Sequence, residues 1–187
     1  MNKHLRALIV VFITVLFFSS IFFIIKKQRR EASEKKSDVF AISIDKVAPD
    51  FDTKTIHERS ISLSQFKGKL VILNFWASWC GPCVEEMPSL IKLIKSMPKD
   101  IELIAISGDS NIEDIHSFIK SFPELNSLPN IHLVFDRDKV LSQQYEVFRL
   151  PESFVIGKDQ KIIKKISGTI NWHSEEALEY MKKLVSP

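Results

Sequence analysis

Three features of this chain predict an α/β fold, a central β-sheet flanked by helices, carried behind one membrane-spanning helix. Short apolar runs of strand length alternate with segments whose apolar residues recur every three or four positions. The alternation closes with two strand-like runs separated by a turn. Ahead of all of it lies an uncharged apolar stretch, Leu8 to Ile25, unlike the rest of the chain.

That stretch, "LIVVFITVLFFSSIFFII", comes first. At helical rise it reaches about 27 Å, close to the roughly 30 Å of hydrocarbon in a bilayer. Lys3 and Arg6 would also suit a secretory signal. The apolar run is long for one, however, and it ends in "KKQRR" without a small-residue cleavage site. An uncleaved anchor over residues 1–28 is therefore expected. Lys26, Lys27, Arg29 and Arg30 come after the span, with Lys35 and Lys36 beyond, while only Lys3, Arg6 and the amino terminus precede it. The positive-inside rule taken alone places the C-terminal domain in the cytoplasm.

Residues 29–38 contain "RREASEKKS", charged and small, which suits a solvated linker. The remainder, 39–187, is long enough for one domain, with a chain-wide composition of 45% hydrophobic and 26% charged residues. The net charge is +3, with much of the positive charge around the N-terminal segment, so no nucleic-acid partner is expected. There is no phosphate-binding glycine loop and no internal repeat.

Within the domain, "LVILNFW" (Leu70 to Trp76) has the continuous apolar character of a strand buried on both faces. Val84, Met87, Ile91 and Ile94 then mark an amphipathic helix, with a bend expected at Pro88. "IELIAIS" (Ile101 to Ser107) is a second buried strand. Ile112, Ile115, Ile119 and Phe122 stripe a second helix, capped by Ser110 or Asn111. "IHLVF" (Ile131 to Phe135) is a third strand, and a short helix comes next around Val140 to Tyr145. "ESFVIG" and "KIIKKIS" form a hairpin about Lys158 and Asp159. Ser174 caps a final helix with Leu178, Met181 and Val185 on one side.

The chain's two cysteines, Cys80 and Cys83, sit between the first buried strand and its helix. A structural disulfide gains little here, because stabilisation grows with the loop closed and this loop is minimal. A structural zinc site needs about four ligands, and His57, His116, His132 and His173 are scattered. A redox pair fits the local physics. At a helix start, unpaired backbone N–H groups and the helix dipole stabilise a thiolate at Cys80. Pro82 is tolerated in that first turn, where its missing N–H has no helical partner. Gly81 leaves the approach to the outer sulfur clear. Cys83, one turn deeper, is placed to resolve a mixed disulfide formed at Cys80.

"WCGPC", within "VAPDF…ISLSQFKGKLVILNFWASWCGPCVEEMP", resembles the thioredoxin superfamily and, more narrowly, the membrane-anchored TlpA/ResA-like thiol:disulfide oxidoreductases. The resemblance runs from about Val47 to the last helix. It implies a thioredoxin-like fold with a mixed central sheet. In "LPESFVIGKDQKIIKKISG", Pro151 takes the position of the family's cis-proline facing the cysteines, which leaves the Leu150 backbone for an extended substrate. Trp79 is expected as an exposed wall beside Cys80, and Trp76 as core. Thioredoxin's buried Asp is replaced here by Asn74, which cannot titrate. Glu86 matches the glutamate of the family's "CxxE" pattern, which implies a proton-exchanging role, and Glu152 is a weaker second candidate. His132 is expected to be structural. The stretch from Ile101 to Asn130 corresponds to the family's inserted helix and strand.

The resemblance and the apolar run together imply a single-pass protein of the bacterial cytoplasmic (inner) membrane. Its thioredoxin-like domain is expected on the periplasmic side, against the charge count. It is expected to be monomeric and to reduce disulfides of partner proteins, such as apocytochrome c or copper-site assembly factors. A membrane electron-donor protein would recharge it, and it needs no cofactor beyond the Cys80–Cys83 disulfide and no metal. Two rivals compete with this expectation. A peroxiredoxin-like peroxidase shares "APDF" but would not carry its reactive cysteine in a WCGPC helix. A thioredoxin-fold copper metallochaperone usually wants a CxxxC pair.

Overall fold

The computed structural model describes residues 12, 16–24, 26 and 46–186. The chain divides into two compact units, Met1–Ile42 and Ser43–Pro187. In the first, residues 16–24 form helix α1, whose apolar side chains Phe17, Phe18, Phe22 and Phe23 are exposed. Most of the expected anchor, the linker and the expected domain start at Val39 lie outside the described residues. Among the described residues no helix is long and apolar enough to cross a membrane.

The second unit is built on a six-stranded mixed sheet of order β1-β8-β7-β4-β5-β6. Its strands are β1 (Lys46–Val47), β4 (Leu70–Trp76), β5 (Ile101–Ser107), β6 (Ile131–Phe135), β7 (Glu152–Ile156) and β8 (Lys161–Ser167). β4, β5 and β6 run parallel, while β7, β8 and β1 add antiparallel on the other side. β2 (Asp52–Lys54) and β3 (Ser60–Ser62) make a separate antiparallel pair. The helices are α2 (Gly81–Ser96), α3 (Ile112–Ser121), α4 (Glu124–Ser127), α5 (Val140–Gln144) and α6 (Glu175–Val185).

All seven residues of β4 are buried, as a central strand covered on both faces requires. Its odd-numbered side chains, Val71, Leu73 and Phe75, join Ile104, Ile106, Phe154 and Tyr145 in a core closed by Ala48, Phe51, Ile61 and Leu63 from the β1–β3 segment. The even-numbered Trp76 faces the other way and stacks on Phe118 of α3, ring centroids 4.4 Å apart. β4, β5 and β6 coincide with the apolar runs in the sequence, and the hairpin forms as expected.

Two amphipathic stripes are shifted from the sequence reading. On α3 the buried residues are Ile115 and Phe118, with Ile112, Ile119 and Phe122 only half-buried. The ring of Trp76 selects Phe118, which is a contact that spacing cannot see. On α6 the buried pair is Ala177 and Met181, while Leu178 and Val185 stay half-buried. Ser174 caps α6 as expected, its hydroxyl accepting from the Ala177 N–H at 3.2 Å. Asn111 occupies the N-cap position ahead of α3 but makes no side-chain cap bond. Pro88 sits inside α2 without ending it.

Candidate active site

The last residues of β4 and β5 and the first turn of α2 meet at the C-terminal edge of the parallel strands, where open α/β sheets place their chemistry. Cys80 is the N-cap of α2. Its backbone carbonyl accepts from Cys83 N and Val84 N at 3.0 and 3.1 Å, and its sulfur lies 3.2 Å from Cys83 N. Gly81 and Pro82 form the first turn, so no N–H is lost there that the helix could use. Cys80 and Cys83 are joined by a disulfide, with 5.2 Å between their Cα atoms. Cys80 is 5% exposed and Cys83 1%, so the outer sulfur is the one within reach of a partner.

The turn that presents Cys80 is held from below by an acid that the sequence reading passed over. Asp109 is fully buried. Its carboxylate accepts from Ser78 N at 3.1 Å, from Ser78 Oγ at 2.7 Å and from Ser107 Oγ at 2.7 Å. Gly108 N adds a 2.7 Å bond to the Trp76 carbonyl. Residues 107–109 thus clasp residues 76–78, fixing the entry to the cysteine turn. Its position just past a parallel strand was the available signal in the sequence.

Five of the eight predicted site residues share one groove, while Cys83, Glu86 and Pro151 do not line it. The Leu150–Pro151 peptide bond is cis. Trp79 is 70% exposed, and a Cβ built on Gly81 would meet no atom within 4 Å. Trp79, Cys80, Gly81, Pro82 and Leu150 line one groove of about 610 Å³. Lys139, Phe148 and Arg149 complete its far side and were not foreseen. They come from the segment before the cis-proline, whose polar and apolar residues alternate without a recognisable period.

Glu86 lies one helical turn past Cys83 and is 4% exposed, not a solvated helix residue like its exposed neighbour Glu85. Its carboxylate accepts the indole N–H of the buried Trp172 and a backbone bond from Ile170. Burial pushes its carboxyl up from 4.5 to about 7, with the two hydrogen bonds pulling the other way. Ser89 Oγ donates to the Glu86 carbonyl at 2.8 Å and accepts from Trp172 N at 3.1 Å, so the loop carrying Trp172 is stitched onto α2. A second cavity of about 510 Å³ is lined by Glu86 itself, and its other ionisable residues are Glu85, Lys92 and His173.

The remaining candidates are accounted for by partners. Asn74 is buried and donates to Ser153 Oγ at 2.9 Å. Glu152 is buried, accepts from Ser167 Oγ and pairs with Lys165 at 3.3 Å. His132 pairs with Glu102 at 3.0 Å. Among the described residues no group of three or more His, Cys, Asp or Glu is placed to hold a metal ion.

The geometry has counterparts among known proteins. Residues 44–165 match the model of the AhpC/TSA family. The thiol-disulfide oxidoreductase ResA of Bacillus thuringiensis subsp. konkukian is 35% identical over 144 residues, covering 76% of this chain and 79% of that protein. ResA of Bacillus subtilis is 33% identical over 149 residues, 79% of this chain and 78% of that protein. The crystal structure of StoA from Bacillus subtilis superposes with a TM-score of 0.58 at 28% identity, covering 75% of this chain and 98% of that one. A structure described as a thiol:disulfide interchange protein DsbE from Chlorobium tepidum gives 0.65 at 26% identity, covering 76% and 97%. With a buried-strand–CxxC–helix junction, a cis-proline directly after the groove-lining Leu150 and this kinship, the chain belongs to the ResA-like thiol-disulfide oxidoreductases of the thioredoxin superfamily.

Proposed function

We propose that this protein is held in the bacterial cytoplasmic membrane by its N-terminal helix and reduces disulfides of partner proteins on the extracytoplasmic side. Cytochrome c maturation or copper-site assembly would supply such partners. The observation that carries the reading is the Cys80–Cys83 pair at the start of α2, its outer sulfur opening into a groove walled by Leu150 and next to the cis-proline. The uncharged run from Leu8 to Ile25 and the exposed phenylalanines of α1 support the tether.

In the reducing direction the Cys80 thiolate attacks one sulfur of the partner disulfide, forming a mixed disulfide and expelling the other partner sulfur as thiolate. Cys83 loses its proton and attacks the Cys80 sulfur. This breaks the mixed disulfide, releases the second partner thiol and leaves the Cys80–Cys83 disulfide. Two electrons pass to the partner, and a dithiol electron donor in the membrane must return them. Glu86, one turn beyond Cys83 with a carboxyl that titrates at about 7, is suited to take up the Cys83 proton.

The test uses a Cys83→Ser variant expressed as the full chain. It should accumulate mixed disulfides through Cys80, and protease added to spheroplasts should digest the domain. Absence of mixed disulfides would overturn the reductase reading. A domain cleaved only after permeabilisation would overturn the extracytoplasmic placement and show that the basic flank sets the orientation.

A further inference from the structure

The groove beside Cys80 has a chemical bias that reduction alone does not require. Among its lining residues are two cations, Lys139 and Arg149, and no Asp or Glu. Lys139 is half-buried, and its ammonium donates to the Gly108 carbonyl, which fixes that charge in the groove wall. Arg149 is exposed and has no acidic partner among the described residues. Two large aromatic side chains stand open at the same place, Trp79 at 70% and Phe148 at 87% exposure. Apolar surface left bare beside a reactive sulfur marks a contact surface.

The segment bearing this far wall is held rather than loose. Lys139 and Glu146, at either end of α5, both adopt left-handed backbone conformations, φ 59° and 51°. Such geometry costs a non-glycine residue about 1 kcal/mol or more and persists only where the surroundings impose it. Here they do. The buried Asp136 carboxylate accepts from Leu141 N, Ser142 N and Ser142 Oγ at 3.0, 2.8 and 2.7 Å. Val147 N bonds the Ser142 carbonyl at 2.9 Å, and Lys165 Nζ bonds the Glu146 carbonyl at 3.0 Å. Phe148 and Arg149 therefore project from a fixed support between α5 and Pro151.

We propose that this groove selects partner proteins whose disulfide cysteine lies in an extended segment flanked by an apolar residue and an acidic one. The apolar side chain packs against Phe148 and Trp79, and the carboxylate meets Arg149 and Lys139. Charge complementarity singles out this occupant: a basic flank would be repelled by both cations, and a neutral one would leave them unmet. The inference rests on the reading of the protein as a disulfide reductase and names the substrate class of that same site.

The test uses the full-length chain, purified in detergent and reduced. Three disulfide-linked peptide dimers serve as substrates, each with Leu before its cysteine and Glu, Gln or Lys after it. Single-turnover rates are read from released peptide thiol after acid quench. Each is divided by the peptide's rate with dithiothreitol, which removes intrinsic reactivity. The expected order is Glu, then Gln, then Lys, with Glu about fivefold over Lys at low salt, the size of an exposed charge pair, and less at high salt. Arg149→Lys should keep the order and Arg149→Glu should reverse it. Phe148→Ser should slow the leucine peptides more than matched peptides carrying Gly in place of Leu. Equal normalised rates in the wild type, or an order unchanged in Arg149→Glu, would overturn the selectivity while leaving the reductase reading in place. No reduction of any peptide would overturn both.

Discussion

Replacing Glu86 by Gln isolates the cost of keeping a carboxyl behind the cysteine pair. Gln keeps the side chain's length, and its amide oxygen can still accept the Trp172 indole N–H. Burial raises the carboxyl from 4.5 to about 7, so the folded state holds this proton more tightly than the unfolded chain does. Below the unfolded value the folded state bears no cost. As pH rises through the window, stability falls, and above about 7 the buried carboxylate bears its full cost of about 3 kcal/mol. Chemical unfolding of the oxidised Ser43–Pro187 unit at about pH 5 and again at about pH 8.5 measures this directly. Across that interval the wild type should lose about 2–3 kcal/mol relative to Glu86→Gln. The same ionisation opposes a nearby thiolate, so Glu86→Gln should also lower the apparent thiol pKa, with Glu85→Gln as an exposed control. The two groups titrate together, so the thiol pKa belongs to the cluster and not to Cys80 alone. Stability differences that stay parallel between the two pH values would refute the buried-acid reasoning, whatever the exchange rates do.

Alkylation of the reduced protein over graded pH should modify Cys80 first, since it caps the helix and opens to the groove while Cys83 is 1% exposed. Faster labelling of Cys83 across the range would reverse their assigned roles. Asp109→Asn should cost about 1–3 kcal/mol, because a buried acceptor of three donors becomes partly a donor facing donors. It should also slow disulfide exchange by loosening the turn before Cys80. Urea unfolding at the wild-type midpoint would show that the clasp contributes nothing.

What could be read from the sequence depended on the length of each pattern. β4, β5 and β6 are seven, seven and five residues of nearly continuous apolar character, which fits strands buried on both faces. β1, β2 and β3 have two or three residues each, too few to show a period. The cysteines, Pro82 and Pro151 were visible because their chemistry is local or carried by a motif. Trp172 was not, since it reaches Glu86 across 86 positions from a loop with no pattern of its own. Lys139 and Arg149 were invisible for a related reason: a charge has meaning as a groove wall only once the chain has brought it beside Cys80. Asp109 could have been suspected from its place after β5, but its three donors belong to residues chosen by the fold.

The position of β4 at the centre of the sheet governs the order in which this molecule can assemble. One neighbour, β5, begins at Ile101, while the other, β7, begins only at Glu152. A chain emerging from the ribosome, or crossing a membrane as a thread, therefore carries its finished cysteine pair long before β4 has both its partners. Pairings of such wide separation form slowly, and until they do the apolar strand lies open to wrong contacts. Cys80 and Cys83, only three positions apart, need none of that scaffold to find each other. Oxidation of the pair can thus precede folding, so the disulfide is no record of whether the surrounding site has been built.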